Sequence, residues 1–261
     1  MSEVQAIWRQ ILKDIYNKGH IHHKDDAEIR EILNVSGFVD NPSFFFAGTI
    51  TREDFLKNLR RGFYDIKGYN IKGDALADYV ESIDDRDKIN LDWEDENDFI
   101  YTYPERLKSI AVMTKYDLVR EENQIEYMIE RLRENIGSNR AVATLYNIGL
   151  DKYQDDIPCL NWMQALIRDD ELYLAVMFRS NDIYNAFPSN MFFLMNIGMY
   201  MVEELQNQYP ELSFAGIYYN CTSAHYYTDV VTDEIINEII KGEWWNELYK
   251  PSICRNERCN E

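Results

Sequence analysis

Apolar residues recur at helical spacing over residues 2–18, where Val4, Ile7, Trp8, Ile11, Leu12, Ile15 and Tyr16 share one stripe. The pattern predicts an amphipathic helix. It breaks at Gly19-His20-Ile21-His22-His23, and the adjoining Asp25, Asp26 and Glu28 predict a solvated turn. Residues 32–46 read as strand, turn and strand, with Gly37 and Asn41-Pro42 as breakers. A helix is expected over 51–64, with Thr51 as N-cap and Asp54 as its capping-box partner. Helical periodicity returns over 121–136, and residues 141–147 read as a strand. Leu172, Leu174, Val176 and Phe178 alternate with less apolar neighbours, the signature of a half-buried strand over 172–178. A long buried helix follows over 191–208, and residues 214–227 are β-type and rich in aromatics. Helices and strands are interspersed, which indicates an α/β or α+β chain. Neither an internal repeat nor a domain boundary is visible, so residues 1–261 are expected to form one domain.

Composition narrows the partners more than the fold. The 261 residues are 46% hydrophobic, enough for a substantial core, and the scarcity of Gly (11) and Pro (6) argues against disorder. A net charge of −19 opposes polynucleotides and anionic membranes alike. It does not forbid one small anion, because a few local arginines outweigh a distant field when the Debye length is roughly 8 Å. The first residues carry charges throughout and do not resemble a secretory signal. The most apolar run, 191–202, is shorter than the ~20 residues a membrane span needs. A cytoplasmic setting is expected, in which Cys159, Cys221, Cys254 and Cys259 are thiols. No metal is expected. The clustered histidines and the Cys254–Cys259 pair are read as a solvated turn and a mobile tail. Residues 84–98 are strongly acidic around Trp93, but they lack the alternating ligands and central Gly of a calcium loop.

Candidate chemistry centres on Pro158-Cys159. Gln164 follows five residues after Cys159, Arg179-Ser180-Asn181-Asp182 begins twenty residues after it, and Asn190 stands eleven beyond Arg179. Ser223-Ala224-His225-Tyr226-Tyr227 comes later, and Arg140 lies nineteen residues before the cysteine. This ordered set resembles the thymidylate synthases and the related pyrimidine-nucleotide hydroxymethylases, over about residues 93–227. In that chemistry a thiolate adds to C6 of a uracil ring and makes C5 nucleophilic toward a one-carbon electrophile. The thiolate needs nearby cations.

The resemblance implies an α/β protein of the thymidylate synthase type, a large mixed β core with flanking helices that forms a homodimer through its sheet. It implies Cys159 as nucleophile, with Arg179, Ser180 and a partner subunit's equivalent of Arg140 on the phosphate of a pyrimidine nucleoside monophosphate. Gln164 joins the nucleotide set. Asn190 reads the base, and its amide, able to donate and accept, favours uracil over cytosine. His225 and Tyr227 hold the sugar, while Asp182, Trp93 and Tyr103 hold 5,10-methylenetetrahydrofolate. The expected activity is methylation or hydroxymethylation at C5. Departures from the family pattern are Asn139 for a first arginine, Leu160 for a histidine, Ala186 for a glycine, and Arg60 or Arg61 at a glutamate position. The tail is polar where synthases end in apolar residues. Glu94 and Glu96, flanking Trp93, are candidates to replace the missing carboxylate. The alternative reading is a nucleotide-binding relative that has lost folate chemistry.

Overall fold

The computed structural model describes residues 3–24, 27–40, 103–108, 110–113 and 119–241. Several expectations lie outside these: the helix at 51–64 with Arg60 and Arg61, the acidic segment with Trp93, Glu94 and Glu96, and the Cys254–Cys259 tail.

Helix α1 (Glu3–Lys18) forms where the period predicts it. Trp8, Ile11, Leu12 and Ile15 are all but fully buried along one stripe. The chain then enters strand β1 (His20–Lys24), which pairs in a hairpin with β2 (Ala27–Asp40). Here the expected turn is corrected: the histidine segment is an edge strand. Strand alternation sends His20 and His22 to one side and His23 to the other, all exposed. The expected break at Gly37 is corrected too. Gly37 pairs with Tyr219 inside a continuous ladder. A glycine in a strand costs roughly 0.5–1 kcal/mol, less than a long ladder returns.

Helix α2 (Tyr103–Lys108) and the hairpin of β3 (Ile110–Met113) and β4 (Val119–Glu122) precede α3 (Gln124–Glu134). The latter starts later than its period suggests because Asn123 caps it, accepting from the Ile125 and Glu126 N–H groups. After β5 (Val142–Thr144) and α4 (Ile148–Asp151), β6 (Leu160–Arg168) and β7 (Glu171–Asp182) form a second hairpin. Helix α5 (Phe187–Gln206), with a proline in its first turn, carries the chain back to β8 (Ser213–Tyr227), and α6 (Asp233–Lys241) follows.

The main sheet has the order β1-β2-β8-β7-β6-β5. Every neighbouring pair is antiparallel except β7 and β8, which run parallel as the α5 crossover requires. The family-type α/β fold, a mixed sheet with flanking helices, is therefore present. One face of the sheet carries Leu172, Leu174, Val176, Phe178, Ile217 and Tyr219 into a core shared with α1, α3, α5 and α6. The other face is half open: Phe38, Tyr173 and Tyr218 cluster there, and Met177 and Tyr218 are exposed. No helix among the described residues is long and apolar enough to cross a membrane.

Because β7 and β8 are parallel, their C-terminal ends lie together. The start of β6, the start of β2 and the end of β1 come to that same end by antiparallel pairing. Crevices at the C-terminal ends of parallel strands are where sheets of this kind bind ligands.

Where β8 enters the ladder, the register slips between Leu172 and Tyr173. Gly216 sits there at φ 150°, and a Cβ on it would stand 2.3 Å from the Val39 carbonyl oxygen. Gly216→Ala should cost about 2–4 kcal/mol through backbone strain and overpacking, visible as a lowered denaturation midpoint. An unchanged midpoint would refute the close approach.

Candidate active site

Cys159 immediately precedes β6, and its carbonyl accepts from the Arg179 N–H at 2.8 Å. That bond sets the two residues side by side across the β6–β7 hairpin. Cys159 Sγ lies 3.4 Å from Ser180 Oγ, and Arg179 Nη1 donates to the same oxygen at 3.3 Å. The guanidinium is held from behind: Nε donates to the Pro158 carbonyl at 3.1 Å and Nη2 to the Ile157 carbonyl at 2.5 Å. A thiol, a hydroxyl and a fixed cation thus share one corner. Tyr103 closes it, its hydroxyl accepting from the Leu160 N–H at 3.2 Å while its ring packs on Phe193.

Asn190, 7% exposed at the start of α5, donates to Asn181 Oδ1 at 3.1 Å. Asn181 Nδ2 donates to Tyr219 OH at 3.0 Å, Tyr219 hydrogen-bonds to the Cys221 thiol, and Cys221 Sγ donates to the Ser223 carbonyl at 3.2 Å. Burial holds Tyr219 well above its ordinary pKa and pushes the Cys221 thiol up to about 11. The relay therefore consists of neutral groups near neutral pH. It fixes the Asn190 amide and leaves its carbonyl oxygen and second N–H for a ligand.

His225 ends the parallel pair opposite Asp182 and faces Glu31 across β2. It is 2% exposed, and its ring meets Tyr227 edge-on. Burial, helped by Lys24 and Arg179, lowers its pKa to about 4. Lys24 Nζ lies 3.5 Å from Tyr227 OH and acts electrostatically on Asp182 as well.

Asp182 accepts from the Tyr184 and Asn185 N–H groups through Oδ1 and from Asn185 Nδ2 through Oδ2. Burial raises its pKa, and those donors oppose the shift. A carboxylate has about four lone-pair directions. Three are taken, and one acceptor remains for an N–H donor such as a pterin would present. On that test the residue fits folate. Trp93, expected beside the cofactor, lies outside the described residues.

Two expected site residues are not brought to Cys159 within this chain. Arg140 is exposed on the loop before β5. Its neighbour Ala141 bonds through its carbonyl to the Ala165 N–H, six residues past Cys159, or roughly 20 Å along the strand. Gln164 is engaged at that same distant place, its Nε2 donating to the Asn139 carbonyl at 2.7 Å. Asn139 Oδ1 also accepts from Arg168 at 2.5 Å, so the loop carrying Arg140 is tied to β6.

Residue spacing missed Lys24 and Glu31. Lys24 lay in a segment read as a turn. Glu31 has no signal in the sequence, since its partners lie on a strand near the far end of the chain.

The parallel ends of a mixed α/β sheet thus gather a cysteine, a buttressed arginine, a buried amide and a neutral histidine. A thymidylate synthase family model matches residues 70–243, and the chain belongs to the thymidylate synthase family. It is similar to proteins named "Putative thymidylate synthase". That from Methanosarcina mazei is 30% identical over 92% of each chain, and that from Methanococcoides burtonii 29% over 92% of each. One from Methanocaldococcus jannaschii is 37% identical over 59% of this chain and 69% of its own.

The lowered His225 pKa carries a stability signature. Between about pH 6.5 and 4 the unfolded chain binds a proton there that the folded chain refuses, so folding stability falls as pH falls through that window. His225→Gln should flatten the decline by up to about 1.4 kcal/mol per pH unit, measured by urea denaturation across the range. An unaltered slope would mean that His225 titrates normally.

Proposed function

We propose that this protein transfers a one-carbon unit from 5,10-methylenetetrahydrofolate to C5 of a uridylate, by way of a Cys159 adduct at C6. The observation that carries the reading is the contact of Cys159 Sγ with Ser180 Oγ beside the buttressed Arg179. Family membership gives that corner its chemical meaning.

In this reading the Cys159 thiol gives its proton to solvent water and the thiolate sulfur bonds to C6. The C5–C6 π electrons move to C5 and, by conjugation, to O4. Methylenetetrahydrofolate, when bound, supplies the electrophilic carbon. Arg179 and Ser180 grip the nucleotide phosphate, and the fixed guanidinium also stabilises negative charge beside the sulfur. Asn190, its amide oriented by Asn181, donates to O4 and accepts from N3–H of uracil. His225 and Tyr227 hold the sugar. Asp182 and Tyr103 form the folate side, and methyl and hydroxymethyl products are both consistent with these roles.

Arg140 completes the phosphate site of a partner subunit. Its distance from Cys159 supports a role in trans, and the half-open aromatic sheet face supports a homodimer. Gln164 positions the loop from which Arg140 would reach across. A cytoplasmic location accords with a chain whose substrates are small metabolites.

Incubation with 5-fluoro-dUMP and methylenetetrahydrofolate should leave a stable covalent complex visible by mass spectrometry and absent in Cys159→Ser. An adduct that survives in Cys159→Ser would remove Cys159 as nucleophile. The position matching the family glutamate holds Arg60 or Arg61, which favours the alternative of a pocket without folate chemistry. Tight dUMP binding with no ternary adduct would select that alternative.

Mixed dimers give a second test. Arg140→Ala and Cys159→Ser should each be inactive as homodimers. Once subunit exchange is verified, mixing them should restore up to about a quarter of wild-type activity, since random pairing makes half the dimers mixed, each with one intact site. No recovery would place Arg140 outside the shared site.

A further inference from the structure

Glu31 stands opposite His225 in the β2–β8 ladder, and Ser223, two residues before His225, donates its hydroxyl hydrogen to Glu31 Oε1. Ser223 Oγ in turn lies 3.5 Å from His225 Nδ1. A hydroxyl has one hydrogen and two lone pairs, whereas an ionised carboxylate only accepts. With its hydrogen committed to Glu31, Ser223 can offer Nδ1 only a lone pair. A bare Nδ1 would then oppose lone pair to lone pair, so Nδ1 carries the hydrogen. A neutral imidazole has one N–H, and Nε2 is left as an acceptor.

Tyr227 has the opposite polarity. Lys24, a pure donor, occupies a lone pair on Tyr227 OH and leaves the phenolic hydrogen to point outward. The two rings lie edge to face, with centroids 5.3 Å apart. An accepting nitrogen beside a donating hydroxyl complements a ligand hydroxyl, which itself donates and accepts. It does not complement a carbonyl, which only accepts, or an ammonium, which only donates.

We propose that Glu31, acting through Ser223, is a positioning residue that holds His225 in the Nδ1–H tautomer, so that Nε2 accepts from a sugar hydroxyl of the nucleotide. The ligand half of this assignment rests on the nucleotide reading above. The tautomer half rests on the Glu31–Ser223–His225 geometry alone. In Glu31→Gln the amide can donate as well as accept. Ser223 is then released to turn its hydrogen toward Nδ1, and the tautomers mix.

The test uses the full chain labelled with nitrogen-15 histidine near neutral pH, with the His225 signals assigned by their loss in His225→Gln. The wild type should show the Nδ1–H tautomer. Glu31→Gln and Ser223→Ala should both shift it toward Nε2–H, and Ser223→Thr, which keeps the hydroxyl, should restore it. Calorimetry should find Glu31→Gln binding dUMP about tenfold more weakly and 2′,3′-dideoxyuridine monophosphate within about twofold of wild type. A wild-type tautomer in both Glu31→Gln and Ser223→Ala overturns the positioning role. Equal loss for both nucleotides overturns the hydroxyl assignment. A wild type that binds neither nucleotide overturns the nucleotide reading and the ligand half with it, while the spectrum still decides the tautomer half.

Discussion

The parallel pairing of β7 with β8 is the constraint on which the described architecture turns. An antiparallel pairing would have put Asp182 and His225 at opposite ends of the sheet. Parallel pairing sets them opposite one another, and the price is a crossover long enough to return the chain to its starting edge. Helix α5 supplies that crossover and buries Met191, Leu194, Met195, Met201 and Leu205 in doing so. Trp8 reinforces the same end from α1, its indole donating to the Ile183 carbonyl at 2.6 Å just beyond β7. The cysteine corner, the amide relay and the histidine pair then follow as features of one sheet end.

The polar groups at that end are arranged as donors in series. Asn190, Asn181, Tyr219 and Cys221 each satisfy the next, so a buried region carries orienting groups without a buried charge. Among the described residues, the charges at this end are chiefly Arg179, Lys24, Asp182 and Glu31. In a chain of net charge −19, Arg179 and Lys24 offset Asp182 and Glu31, so these four groups add no net negative charge at this end. A small anion can settle there although the surface at large repels it.

Elements governed by local spacing were legible in the sequence. Helix α1 declared itself through its apolar stripe, and β7 through the alternation Leu172 to Phe178. The set running from Cys159 to Arg179 and Asn190 was legible because a hairpin followed by a helix fixes residue separations in a family. Elements governed by partners were not legible. His20–His23 reads as a turn until β2 is there to pair with it, and Gly37 reads as a break until Tyr219 supplies the ladder. Glu31 illustrates the limit: it meets Ser223 across 192 residues of sequence, and no periodicity reports a contact of that kind. Arg140 and Gln164 stand out by spacing, yet the fold puts them far along β6 from the cysteine.

The position of β8 has a consequence for the order of assembly. In the sheet it lies between β2 and β7, although it is the last of the described strands to be synthesised. Among the described strands, the β1–β2 hairpin and the β5–β6–β7 group each have, until it emerges, an edge without its final partner, facing the place that β8 will take. Such edges invite pairing with other chains. A strongly acidic nascent chain repels its own copies during that interval. The acidic charge of the chain thus also acts on the unfinished protein, until its central strand arrives.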